Sequence, residues 1–173
     1  MPVTPIDEEI KLDPKRYIVS ETDERGIITY CNDYFKEVSG YSKEELLGKS
    51  HNIIRHPDMP KVVFKLLWET ISQGKNINAV VKNLAKDGRH YWIFTEFESR
   101  KDTDTGKIIG YHASRKAISK HVTEVISELY AKLLQIEKDE SVEESEKYLI
   151  SYLKEKGEHI EFANIMEEIH RFY

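Results

Sequence analysis

Residues 77–97, INAVVKNLAKDGRHYWIFTEF, decide the fold. Ile77 to Leu84 alternates weakly between apolar and polar residues. Lys86-Asp87-Gly88-Arg89 is a hairpin turn, with glycine where a positive φ is needed. His90 to Phe97 is strongly aromatic and β-branched, the composition of a strand that packs on a core. Two strands joined by so short a turn run antiparallel. Downstream, Asp102-Thr103-Asp104-Thr105-Gly106 makes another turn and Lys107 to Ser114 a further strand. Upstream, Tyr17–Thr22 and Ile27–Cys31 flank the turn Asp23-Glu24-Arg25-Gly26 and form a first hairpin.

Short helical pieces lie between the two hairpins. Asn32 caps a turn over Asp33 to Val38 that Gly40 ends. Ser42-Lys43-Glu44-Glu45 has capping-box spacing, with Gly48 as its stop. After an irregular stretch from His51 to His56, Asp58-Met59-Pro60 opens a longer helix. Asp58 is placed as its N-cap, and Val63, Phe64, Leu67, Trp68 and Ile71 form its apolar face. No crossover helix separates the last three strands. The expectation is therefore α+β: a five-stranded antiparallel sheet with helices on one face.

Strand signals stop at Ser119. Val122, Ile126, Leu129, Leu133 and Ile136 repeat at heptad-like spacing, read either as a helix packed on its own sheet or as a dimer seam. The acidic run Glu137 to Glu146 reads as a solvated connector. Tyr148, Leu149, Tyr152 and Leu153 mark another helix up to Gly157, and Ile160, Phe162, Ile165, Met166 and Ile169 a terminal one. The division is thus an arm over 1–15, a sensor domain over 16–118 and a helical output segment over 119–173.

The chain has 173 residues, with 26 Lys and Arg against 31 Asp and Glu, for a net charge of −5. An acidic balance argues against constitutive nucleic-acid binding. With 39% hydrophobic residues the chain can build a core and is not disordered throughout. The single cysteine, Cys31, excludes an internal disulfide framework and fits a reducing cytoplasm. No apolar run is long enough to span a bilayer and no secretory signal stands at the N-terminus, so a cytoplasmic location is expected. Phosphate loops and nucleophile elbows are missing, which argues against an enzyme.

The element order resembles a PAS domain. Three stretches carry a more specific resemblance: Asn32-Asp33-Tyr34-Phe35 through Ser39-Gly40-Tyr41, the run His51-Asn52-Ile53-Ile54-Arg55-His56-Pro57-Asp58-Met59-Pro60, and Val81-Lys82-Asn83 with Lys86-Asp87-Gly88 and Tyr91-Trp92. Together they are similar to the Aer/CetB-type FAD-binding PAS domains of bacterial aerotaxis and energy-taxis sensors, from about Arg16 to Lys116. That resemblance implies FAD as cofactor and flavin redox state as the signal. It implies a separate membrane chemoreceptor with a HAMP-like region as partner, a location at the membrane only through that partner, and a homodimer through the 119–138 helix. Ile77 stands where these domains commonly carry a tryptophan.

The residues allow this chemistry. Arg55 and His56 supply a forked guanidinium and an imidazole before a helix start, a lining suited to pyrophosphate. Asn32 and Asn83 offer amide donors and acceptors for a flavin ring edge; Asn32 also reads as a helix cap. Phe35, Trp68, Tyr91 and Trp92 form an aromatic set that serves either core or pocket, and adjacent Tyr91 and Trp92 point to opposite faces of their strand. With Asp58, the expected cofactor residues are Asn32, Phe35, Arg55, His56, Asp58, Trp68, Asn83 and Trp92. Two other readings remain: a cofactor-free PAS adaptor, and a haem sensor using one of His51, His56, His90 or His112.

Overall fold

The computed structural model describes residues 1–156. Strands β1 (Ile18–Thr22) and β2 (Ile28–Cys31) are followed by helices α1 (Asp33–Ser39) and α2 (Lys43–Leu46), a 3₁₀ turn over His51–Ile54, and α3 (Lys61–Ile71). Strands β3 (Ile77–Leu84), β4 (His90–Lys101) and β5 (Ile108–Ala117) come next, and then α4 (Lys120–Asp139) and α5 (Val142–Lys156). The terminal helix expected around Ile160 to Ile169 lies outside the described residues.

The sheet is antiparallel throughout, in the order β2-β1-β5-β4-β3. β5 therefore lies at its centre. Side chains alternate across the sheet. Val81, Asn83, Thr95, Phe97, Tyr111, Ala113 and Arg115 face inward, toward α1, α3 and the 3₁₀ turn. The core on this side includes Phe35, Leu46, Ile54, Val62, Val63, Tyr91 and Ile93, each buried. β4 continues past Phe97 to Lys101, further than composition indicated, because β5 pairs with it along its length.

The opposite face carries Val80, Lys82, Trp92 and Phe94, and α4 packs there. Tyr130 of α4 is fully buried, lies 6.2 Å from the Trp92 ring and donates from its hydroxyl to the Val80 carbonyl at 2.6 Å. Val122, Ile126, Leu129 and Leu133 are buried within the chain. Four of the five seam positions are therefore covered within the chain itself, by the sheet and by α5.

β3 is an edge strand, and its free edge is covered. Besides Tyr130 at Val80, the Met59 sulfur accepts from the Lys82 amide at 3.2 Å, and Arg55 makes a backbone bridge with Asn83. Such covering removes the template an open edge offers to a second chain. The N-terminal arm runs beside the β3–β4 hairpin. The Ile6 amide donates to the Gly88 carbonyl at 2.9 Å and the Ile10 amide to the His90 carbonyl at 2.8 Å. Gly88 has φ +96, and a Cβ there would come within 2.5 Å of the Thr4 carbonyl oxygen. Only glycine suits both the turn and the arm.

Candidate functional site

The inner face of the sheet and α3 enclose a slot of about 760 Å³, counted out to its open mouth. That figure includes open solvent; the enclosed space is about 100 Å³, smaller than the roughly 300–1,000 Å³ of most small-molecule and cofactor sites. Phe64, Leu67, Trp68 and Ile71 come from α3, Val81 and Asn83 from β3, Thr95 and Phe97 from β4, and Tyr111, Ala113 and Arg115 from β5. Ser20 and Thr22 of β1 and His51, Asn52, Ile54 and Arg55 complete the wall. Trp68 stands at the mouth, its ring edge-on to Tyr111 at 5.3 Å and resting over Gly26.

The polar end of the slot is built around Arg115, which is 3% exposed. Its guanidinium donates to Ser20 Oγ at 3.0 Å, to the Ala113 carbonyl at 3.4 Å and to His51 Nε2 at 2.7 Å. Among the described residues no carboxylate pairs with it. Burial lowers its pKa to about 10, so it stays a cation at neutral pH. His51 lines the slot and is desolvated by the protein around it. Burial first, and the Arg115 charge second, lower its pKa to about 3. It is thus neutral and accepts through Nε2, and Phe35 stacks behind it at 5.8 Å. A haem bound through His51 Nε2 would have to displace Arg115 from that nitrogen.

Among the described residues, the buried Thr95 Oγ1, which lines the slot, has no hydrogen-bond partner, and the buried Tyr91 Oη stands beside Asn83. Unsatisfied buried hydroxyls are rare in native folds and call for a partner. The slot therefore has apolar aromatic walls at one end and a cation, an amide and an orphan hydroxyl at the other. A flavin ring has this polarity, with fused apolar rings at one end and an imide edge of carbonyls and N–H at the other, and the residues present fit it.

Arg55, Trp68 and Asn83, expected from the sequence, line this slot; the other five expected residues do not. Asn32 is held by the backbone: its side-chain oxygen accepts from the Val19 amide at 3.0 Å and the Phe35 amide at 3.1 Å, and its amide donates to the Tyr17 carbonyl at 2.8 Å. It caps α1. Phe35 backs His51 from the core. Trp92 faces α4, because strand alternation sends it to the side opposite Tyr91. His56 is buried away from the slot, accepts the Asp58 amide at Nδ1 (3.0 Å) and meets His90 edge-on at 6.1 Å. Burial, then the charge of Lys82, lower its pKa to about 4. Burial works against ionisation of Asp58, but its 2.8 Å bond to Lys82 and the charge of Lys82, with smaller contributions from His56 and His90, together hold its carboxyl low.

Asp58 is not the N-cap of α3. Pro60 occupies that position and makes no side-chain cap bond. The free amides of Lys61 and Val62 instead donate to the Glu137 carboxylate of α4 at 3.0 and 2.9 Å. Lys65, one turn further, pairs with Glu146 of α5. The acidic run is therefore not simply a solvated connector, since two of its carboxylates grip α3. Arg55 lies between that grip and the slot, its guanidinium carbon 4.2 Å from the Phe64 ring.

Sequence reasoning missed Arg115, Thr95 and Ser20 and weighed His51 only as a haem ligand. The signal for Arg115 was present: Tyr111, Ala113 and Arg115 alternate on one face of the last strand, which puts an arginine where an apolar residue is expected. Among the described residues, no group of three or more His, Cys, Asp or Glu could hold a metal ion.

A family model for the PAS fold matches residues 28–114, half of the chain. The chain belongs to the PAS family. As a PAS chain it is a sensory domain of signalling proteins and not an enzyme. It is 39% identical over 116 residues to the aerotaxis receptor of Escherichia coli, covering 67% of this chain and 22% of that one. It is 28% identical over 87 residues to the bacterioopsin transcriptional activator of Halobacterium salinarum, covering 50% of this chain and 13% of the other. The chain thus spans less than a quarter of the length of these two relatives. Among solved PAS-like structures, the light state of the blue-light photoreceptor Aureochrome1 LOV superposes with a TM-score of 0.56 at 22% identity, covering 70% of this chain and 91% of that one. That likeness concerns the fold. No helix of this PAS chain, among the described residues, is long and apolar enough to cross a membrane.

Proposed function

We propose that this PAS chain is a redox or energy sensor that holds FAD in the slot beneath its sheet and signals the flavin's state, through its C-terminal helices, to a membrane chemoreceptor with a HAMP-like region. The observation that carries the reading is Arg115, a buried cation at the polar end of an aromatic-walled slot with no carboxylate against it. A buried charge without a counter-charge is costly, and a ligand bringing carbonyl oxygens or negative charge to that end relieves the cost.

FAD, when bound, supplies reversible electron transfer. Arg115 then faces the end where added negative charge is best tolerated. Asn83 can present either its N–H or its carbonyl, so it can follow a change in the ligand's hydrogen-bonding pattern. Thr95 supplies a hydroxyl. Phe64, Trp68, Phe97 and Tyr111 exclude water from the apolar rings. Arg55, at the rim, is placed for the phosphates. Asn32 and Phe35 support this wall from behind. His56, Asp58 and Trp92 are assigned to structure rather than to the ligand. Identity to the aerotaxis receptor over two thirds of the chain supports the chemoreceptor partner and a place on the cytoplasmic side of the membrane. The three-part division at residues 15 and 118 is retained as a proposal.

The test is an absorption spectrum of freshly purified protein, with heat release and chromatography of the cofactor. Flavin bands and released FAD are expected. A colourless protein that also fails to take up added FAD overturns the reading and moves function to protein contacts alone. Arg55→Gln is expected to weaken FAD about tenfold while leaving riboflavin affinity within about twofold, because a charge-assisted phosphate contact contributes about 1.5–3 kcal/mol.

A further inference from the structure

Helix α3 touches both the slot and the C-terminal helices. Its inner face presents Phe64 and Trp68 to the slot. Its first turn is held from outside by Glu137 of α4, whose two carboxylate oxygens accept the Lys61 and Val62 amides. Ser145 of α5, whose hydroxyl donates to the Val142 carbonyl at 2.7 Å, also lies 3.3 Å from the same carboxylate, which brings the α4–α5 corner beside the grip. A carboxylate on the first turn of a helix satisfies amides that otherwise lack partners and meets the positive end of the helix dipole. Glu137 is some 75 residues away in sequence, so this cap forms only when the tail is docked.

We infer that Glu137 is a latch through which the α4–α5 tail reads the slot: the tail is docked while the first turn of α3 keeps its present position, and a slot occupant that shifts Phe64 or Arg55 loosens it. The slot and the tail are then coupled through the wall helix as well as through the sheet. Coupling of this kind is reciprocal, so releasing the tail must also change what the slot binds. The inference rests on the slot being the sensing site, but not on its ligand being a flavin.

The decisive experiment uses the full chain without ligand and reads amide hydrogen exchange in 120–156. Glu137→Ala is expected to raise exchange there and at Lys61 and Val62 about tenfold, with β4 and β5 still protected. Glu137→Gln, which keeps one acceptor oxygen, is expected to fall between it and wild type. Glu128→Ala, an exposed change on the same helix, is expected to leave exchange as in wild type. Phe64→Ala, made in the slot, is expected to raise tail exchange when Glu137 is present and to add little when it is Ala. Unchanged tail exchange in Glu137→Ala overturns the latch. Fully additive Phe64 and Glu137 effects overturn the coupling. A second arm titrates FAD into wild type and Glu137→Ala. Equal affinities in the two also overturn the coupling, whereas failure of wild type to bind any FAD counts against the proposed cofactor and leaves the exchange result to decide the latch.

Discussion

Arg115 donates to His51 Nε2 at 2.7 Å inside the slot, an arginine held by a neutral imidazole where a carboxylate would ordinarily stand. The pair leaves a full positive charge facing the space a ligand would occupy. It also makes the empty and filled protein respond to mutation in opposite directions.

Arg115→Met removes that charge and keeps most of the volume. The ligand-free protein is expected to become about 1 kcal/mol more stable, since replacing poorly compensated buried charge by apolar groups is often stabilising. Flavin affinity is expected to fall about 10- to 100-fold, the loss that follows from a charge-assisted hydrogen bond of about 1.5–3 kcal/mol. Urea unfolding and flavin titration read the two numbers. Lower stability together with unchanged affinity would place Arg115 in the framework rather than in the site.

Thr95→Val tests the orphan hydroxyl. Exchanging an unpaired buried hydroxyl for a methyl removes a desolvation cost of about 1–3 kcal/mol, so the ligand-free protein is expected to gain about 1 kcal/mol. The same change is expected to weaken flavin binding severalfold. A loss of stability without ligand would mean that the hydroxyl already has a partner.

Acid is expected to destabilise the fold through two desolvated histidines, His51 in the slot wall and the buried His56. The His51 pKa lies near 3 and that of His56 near 4, both below the ordinary 6.5. Unfolding raises each toward the ordinary value, so the unfolded chain binds more protons in between. Their contribution is fully present above about pH 6.5 and is lost as pH falls through 6.5 toward 4 and then 3. The melting temperature should therefore fall between pH 7 and pH 4, and His51→Gln should flatten the slope by up to one proton's worth. An identical slope in that variant would show that His51 titrates in the folded protein as it does in the unfolded chain.

Tyr130→Phe removes the hydroxyl that meets the Val80 carbonyl on the edge strand. A buried carbonyl left without its donor costs about 1–3 kcal/mol, so a stability loss of about 1–2 kcal/mol is expected by urea unfolding. The loss should come with faster hydrogen exchange in α4. A neutral result would mean that Trp92 and the apolar seam alone hold the helix.

The strands and their hairpins were legible because their signals are local: the aromatic run from His90 to Phe97 and the turn at Gly88 need no partner to be recognised, whereas the order of the strands in the sheet was not read from the sequence. The slot was legible only where a residue type was unusual for its place, as with Arg55 and Asn83. Trp92 and Tyr91 could be assigned to opposite faces but not to a particular one, since both faces of β4 are buried, one by the core and one by α4. Asp58 illustrates the limit. Its spacing before α3 was that of a cap, but a carboxylate from a distant helix reaches the same amides with two oxygens, and Asp58 turns to Lys82. Arg115 was passed over because the last strand, read from its sequence, ends at Ser114, and only the pairing of β5 between β1 and β4 carries it on to Ala117 and puts Arg115 inside.

That central place of β5 has a consequence for how the protein is made. β1 pairs with β2, and β3 with β4, but the two hairpins share no edge until β5 enters between them. A nascent chain that has emerged only as far as Lys107 holds two disconnected ribbons, each of marginal stability in water. The strand that joins them is the strand that carries Arg115. Closure of the sheet and arrival of the buried cation are thus one event late in synthesis, and truncation before Ile108 is expected to yield an aggregating chain rather than a smaller sensor.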